Sequence, residues 1–207
     1  SGTISPIIAN MNALGRPLEF NPDKVIDSAM EVFWCKGYEA TSITDLLEAM
    51  NLSKSSLYQT FGSKKQLFEC CLNRYAGWLY NNMEKQLDES TSGYDFIENF
   101  LDSIANTALT AEGAKGCLMV NSAIEFGQKD PLIAAAIADN LQLFSKLYIE
   151  AVKRAQKEGD ISLDADSQII TNYLHVSISG LRTMVKAGAD RKSVKATIAL
   201  ILKAIRS

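Results

Sequence analysis

The stretch from Lys36 to Phe68, KGYEATSITDLLEAMNLSKSSLYQTFGSKKQLF, limits the possible folds more than any other part of the chain, because it alternates helix starts with helix stops. Thr41 or Ser42 caps a helix, with Asp45 three residues after Ser42 as in a capping box. Ser53 caps the next, and Ser63 with Gln66 forms a second capping box. Gly37, Asn51-Leu52 and Gly62 are the stops. Helices this short do not persist alone in water, so they must be held by packing. Ile43, Leu46, Leu47 and Met50 supply one inner face, and Leu57 and Phe61, four apart, another. Upstream, Pro22 opens a helix whose stripe Val25, Ile26, Ala29, Met30, Phe33, Trp34 runs to Gly37. Downstream, Leu67, Phe68, Cys71, Leu72, Tyr75 and Leu79 mark a long helix from Ser63 to about Leu87.

The remainder repeats apolar residues at helical spacing over 93–110, 117–127, 132–158, 166–188 and 190–206, without strand-like alternation, so the fold class is all-α. The expected division is an arm over 1–21, a helix-turn-helix domain over 22–68 and a larger helical domain over 69–207. Ser1–Asn10 lacks the pattern of a secretory signal and reads as a cloning remnant ahead of a start at Met11. No apolar run approaches the roughly 18 residues of a membrane span. Cys35, Cys70, Cys71 and Cys117 form no CxxC pair, which fits a reducing cytoplasm. With His175 the single histidine, no metal-ligand cluster, phosphate loop or nucleophile motif emerges. No metal, cofactor or enzymatic activity is expected.

The net charge of −3 excludes a uniformly cationic surface, so a nucleic-acid contact has to be local. Residues 53–68 carry Lys54, Lys64 and Lys65 and no Asp or Glu. With Leu57 and Phe61 turned inward, helical geometry leaves Lys54, Ser55, Tyr58 and Gln59 outward. Gln pairs bidentately with adenine, Lys donates to guanine and Ser serves either base, which makes Lys54, Ser55 and Gln59 base-reading candidates. Thr41, Ser42, Ser63 and Lys64 sit at helix starts, where N–H groups attract phosphate, and Tyr58 and Thr60 add hydroxyl donors. A simpler reading makes the hydroxyl residues caps and Lys64-Lys65 a solvated pair.

The residues Phe33, Gly37, Tyr38, Thr41, Ser42, Ile43, Leu57, Tyr58, Phe61, Lys64 and Leu67 together resemble the DNA-binding segment of the tetracycline-repressor (TetR) family of bacterial-type regulators. The resemblance implies that Ser53–Phe61 is the recognition helix, with Tyr58 and Lys64 on phosphates. It also implies a homodimeric transcription regulator, usually a repressor, that releases a palindromic double-stranded DNA operator when a small molecule binds the second domain. Gln59 and Thr60 stand where the family often carries an aromatic and a histidine, which bears on operator sequence. Arg16, in the arm, is a candidate for a minor groove.

One short helix reads too few bases for useful specificity, so a homodimer is expected on that ground as well. The expected interface is 132–158 and 166–188 packed on their mates, with Ser177, Ser179 and Gly180 permitting close approach. Effector-pocket candidates are Trp78, Phe100, Cys117, Phe126, Phe144, Tyr148, Tyr173 and His175. Cys117, at a helix start near Lys115, is also a candidate target for oxidants or electrophiles. The long helix from Ser63 is the expected lever between domains. Two rival readings are a helical interaction module without DNA binding, permitted by seven Lys/Arg against eight Asp/Glu over residues 11–75 (net −1), and an all-helical enzyme.

Overall fold

Capping and apolar stripes yield ten helices among the described residues, 20–127 and 129–206 of a computed structural model. They are α1 (Pro22–Lys36), α2 (Ile43–Met50), α3 (Lys54–Phe61), α4 (Lys64–Glu89), α5 (Gly93–Asn106), α6 (Ala111–Lys115), α7 (Leu118–Phe126), α8 (Pro131–Glu158), α9 (Ser167–Lys186) and α10 (Arg191–Ile205). Most of the arm, including Arg16, lies outside the described residues. The expected helix over 93–110 stops earlier. Thr107 caps α5, Leu109 takes a positive φ of 60°, and Thr110 restarts the chain as the short α6 by accepting the Gly113 N–H.

The helices group into two compact units. The first runs through Trp78 and takes in 121–140, and the second comprises 79–120 and 141 onward. The first unit therefore holds α1 to α3 together with a segment far downstream in sequence. In its core Ile26, Ala29 and Phe33 of α1, Leu46 of α2, Leu57 and Phe61 of α3, and Leu67, Phe68 and Leu72 of α4 are all buried. Phe68 is the hub of a ring cluster, with its centroid 4.8 Å from Phe33, 5.1 Å from Tyr38 and 5.5 Å from Phe126. Arg74 of α4 pairs with Asp27 at 2.6 Å and Asp23 at 2.7 Å, tying it to α1.

In the second unit Phe96, Ile97, Leu101 and Ile104 of α5 pack with Leu147, Ala151 and Ala155 of α8, Leu174 and Leu181 of α9, and Val194 and Ile198 of α10, all buried. Arg154 of α8 staples the preceding connection. Its guanidinium donates to the carbonyls of Leu87 and Ser90, both at 2.9 Å, and to Glu158. Among the described residues α8 is the one helix long and apolar enough by composition to cross a membrane. Its buried residues nevertheless fall on one stripe, Ile133, Ile137, Phe144, Leu147, Tyr148, Ala151, with Asp139, Lys146, Glu150 and Lys153 exposed opposite, the pattern of a helix buried on one side.

Candidate nucleic-acid interface

The α2–α3 connection is built from a left-handed cap and two serines. Asn51 adopts φ 50° and ψ 47°, a conformation Asn tolerates better than branched residues, and closes α2 through its N–H to the Leu47 and Glu48 carbonyls. Ser53 then caps α3 by accepting the Ser56 N–H at 3.1 Å. The turn is short because both ends are satisfied within it.

The capping box at α2 forms as expected: the Ser42 hydroxyl accepts from the Asp45 N–H at 3.0 Å, and the Asp45 carboxylate accepts from the Ser42 N–H at 2.8 Å. Lys36 donates to Asp45 at 2.7 Å, and this bond, with those from Ser42, pulls the Asp45 carboxyl down to about 2. At α4 only half of the expected box is present. The Ser63 hydroxyl accepts the Gln66 N–H and donates to the Gln66 side-chain oxygen. The Ser63 N–H goes to the Phe61 carbonyl, so the return bond to the backbone is not made.

Lys54, Ser55, Tyr58 and Gln59 are exposed on α3 while Leu57 and Phe61 are buried, as the spacing requires. Thr60 is half-buried beside them. The Ser55 hydroxyl is 2.9 Å from that of Ser53, so it meets a base only by exchanging that partner. Ser42 is exposed, but Thr41 is buried and donates its hydroxyl to the Gly37 carbonyl. Thr41 thus serves the turn before α2 and has no hydroxyl directed to solvent. Ser63 and Lys64 are half-buried, and the Lys64 ammonium lies 4.2 Å above the Tyr38 ring centroid. Lys65 is held by Asp130 at 2.6 Å, and its pKa is raised, first by that hydrogen bond.

Sequence spacing gave no sign that residues 125–130 belong to this unit. The Glu125 carboxylate accepts the backbone N–H groups of Tyr38 at 3.0 Å and Glu39 at 2.7 Å, and Phe126 enters the ring cluster 5.0 Å from Tyr38. A partner more than eighty residues away leaves no local pattern.

The effector candidates do not form one group. Trp78 belongs to the first unit and is 56 % exposed. Tyr173 is 38 % exposed on α9, and Phe144 is core. Tyr148, Phe96, Ile97, Phe100, Leu101, Leu174 and Ile178 line an apolar cleft of the second unit whose side chains close it so far that no water molecule fits. An effector at this place has to open it. Tyr148 and Phe100 were among the candidates, and the other lining residues were not. Their sequence trace is the apolar stripes of α5 and α9, which read equally as core.

Burial pushes the Tyr148 phenol well above its ordinary range, with the nearby Cys117 thiol adding to the shift. His175 stands edge-on to Tyr148, with ring centroids 4.9 Å apart, and its Nε2 lies 2.8 Å from the Ser145 hydroxyl. Burial lowers the imidazole pKa, so His175 is neutral at neutral pH and acts here as a packed, hydrogen-bonded ring.

Residues 25–71 match the family described as bacterial regulatory proteins, tetR family, and residues 93–201 match the tetracyclin repressor-like C-terminal domain. The chain is 30 % identical to the HTH-type transcriptional regulator YezE of Bacillus subtilis (strain 168), over 86 % of this chain and 92 % of the relative. It is also 30 % identical to the HTH-type transcriptional repressor ComR of Escherichia coli (strain K12), over 85 % and 84 % of the two chains. The regulator CifR, solved as a cysteine mutant on a 26-bp double-stranded operator, superposes with a TM-score of 0.80 at 28 % identity, covering 91 % of this chain and 99 % of that one. The cap-bounded helices, the outward polar face of α3 and these likenesses agree: the chain belongs to the TetR family of helix-turn-helix transcriptional regulators.

Proposed function

We infer that this regulator is a cytoplasmic, homodimeric repressor without enzymatic activity. It binds a palindromic double-stranded DNA operator and leaves it when a small molecule or electrophile acts on the second unit. The observation that carries this reading is the face of α3, where Lys54, Ser55, Tyr58 and Gln59 stand exposed with no acidic residue between Asn51 and Phe68. Lys54 and Gln59 read base edges, Tyr58, Ser42 and Lys64 contact phosphates, and Ser63 and Thr60 flank them. Ser55 joins the readout once its hydroxyl leaves Ser53. Thr41 acts indirectly, by holding the turn.

For the dimer surface this reading pairs α9 with α10, where the sequence pattern suggested 132–158 with 166–188. α9 exposes Ile169, Tyr173 and Val176, one face at helical spacing with Gly180 beyond, and α10 exposes Leu200 among Ala196 and Ala199. The exposed large apolar residues of α8 are only Leu132 and Leu141, so α10 replaces α8 as the partner of α9 in the interface.

The test is footprinting on the DNA upstream of the protein's own gene, with wild type beside a Tyr58→Phe, Lys64→Ala double variant. A protected palindrome is expected, lost in the variant. If about six phosphates are neutralised, affinity falls about a thousandfold or more between roughly 50 and 200 mM salt. Protection without salt dependence, or equal protection by the variant, contradicts the assignment of these contacts. A helical module without DNA binding gives no protection at all.

The electrophile form of the reading rests on Cys117, half-buried and close enough to Tyr148 to influence its phenol. An adduct there enlarges a side chain beside a pocket that has little room. Alkylation of Cys117 is expected to lower operator affinity by about tenfold or more, a coupling of ordinary allosteric size. Unchanged affinity after complete alkylation removes the electrophile form and leaves a reversible ligand.

A further inference from the structure

Gly37, Tyr38 and Glu39 form the turn that aims α2, and the turn is held from outside the helix-turn-helix. Both oxygens of the Glu125 carboxylate are used, Oε2 by the Tyr38 N–H at 3.0 Å and Oε1 by the Glu39 N–H at 2.7 Å. Glu125 comes so close that a Cβ on Gly37 would lie 3.3 Å from Oε2, and Gly37 also has φ +81°. Within the turn, Thr41 donates its hydroxyl to the Gly37 carbonyl, and its N–H to that of Tyr38 at 3.2 Å. Ser42, the cap of α2, follows directly. The neighbouring residues reinforce the attachment, with Phe126 against the Tyr38 and Phe68 rings and Asp130 on Lys65.

We propose that Glu125 is a positioning residue for operator recognition: its carboxylate fixes the Tyr38–Glu39 turn and through it the direction of the α2 N-terminus relative to α3. Charge-assisted bonds to two successive amides define the turn in a way one neutral acceptor does not. Glutamine offers a single acceptor oxygen and sets an N–H donor against the second amide. The buried side chains of α1 to α4 do not depend on this contact, so the variant keeps its fold. Non-specific attraction to DNA depends on Lys54, Lys64 and the other cations, which the substitution leaves in place. Specific binding needs α2 and α3 to meet phosphates and bases together, and it is this registration that Glu125 secures.

The inference rests on the DNA-binding reading above, so its test has one arm that needs no DNA. In full-length protein, amide exchange at Tyr38 and Glu39 is expected to quicken about tenfold in E125Q, with the interior amides of α1 unchanged. Unchanged rates at 38 and 39 overturn the proposal. In the second arm, E125Q binds the fragment protected by wild type about tenfold more weakly, while its affinity for a scrambled duplex of the same composition and its salt slope stay put. Equal loss on both duplexes, or a general quickening of exchange through α1, assigns Glu125 a merely structural role and also overturns the proposal. If wild type protects no fragment, the DNA-binding reading fails, and the exchange arm still decides whether Glu125 holds the turn.

Discussion

Phe68→Ala is expected to lower the stability of the first unit by about 3–5 kcal/mol. The ring is 1 % exposed and touches three others, Phe33 edge-on at 4.8 Å, Tyr38 at 5.1 Å and Phe126 nearly parallel at 5.5 Å. Its removal takes away the transfer free energy of a buried phenyl and opens a cavity among residues of α1, α4 and α7. Those residues sit on separate helices and collapse only in part. Aromatic pairing adds about 0.5–1.5 kcal/mol per pair beyond area. Against a whole-domain stability of about 5–15 kcal/mol the loss is large, and operator binding falls with it because Tyr38 and the α2 turn stand on the same cluster. Denaturant unfolding of wild type and variant measures this directly. Phe68→Leu, which keeps most of the volume, should cost clearly less; equal costs would mean that the ring faces, and not the volume, carry the stability.

Gly93→Ala is expected to be a strongly destabilising single-methyl change in the second unit. A Cβ at Gly93 falls 2.2 Å from the Ala151 carbonyl oxygen and 2.6 Å from the Ala155 nitrogen, both backbone atoms that no rotamer change moves aside. α5 has to back away from α8, which also strains the Gly93 N–H bond to Glu158 at 2.7 Å and the Arg154 staple beside it. Overpacking costs about 1–3 kcal/mol where side chains yield, and a backbone obstacle places this site at the top of that range. In a chain of 207 residues that corresponds to a fall in Tm of roughly 6–12 °C. Gly77→Ala is the control, since Gly77 lies within α4 and a Cβ there meets nothing within 4 Å. A Tm for Gly93→Ala equal to that of the control would show that α5 and α8 separate at no cost.

Much of the DNA-binding half was legible before any coordinates because its information is local. Ser42, Asp45, Ser53, Asn51 and Gly62 act on backbone groups within four residues of themselves, and the Leu57–Phe61 spacing alone decides that Tyr58 and Gln59 face out. Chemistry that local survives in the sequence as a pattern. Even there, Thr41 looked like a cap and is a buried brace for the Gly37 carbonyl. Hydroxyls at adjacent positions are equivalent until burial separates them. The half-formed box at Ser63 has the same origin, because whether a cap's N–H turns back or outward depends on the preceding turn.

The second unit was legible as helices and illegible as a site. Tyr148 and Phe144 share an apolar stripe, yet only Tyr148 lines the pocket. Trp78 and Tyr173 are aromatic and half in water, and His175 leans on Tyr148 from the next helix. A helical stripe specifies which face is apolar and leaves open whether a neighbour fills it, as a pocket differs from core only by an atom that is missing.

Nearly all of the helices and the outward face of α3 are written in the chain itself, through capping, periodicity and spacing that act over a turn or two of helix. The family is legible there too, through the motif residues from Phe33 to Leu67. Packing had to bring 121–140 into the DNA-binding unit, the Glu125 carboxylate onto the Tyr38 and Glu39 amides, and the exposed apolar residues of α9 and α10 to one surface each. Distance along the chain is what hides such features. A carboxylate that meets two amides more than eighty residues away obeys no period, and its pairing exists only once the helices between have packed.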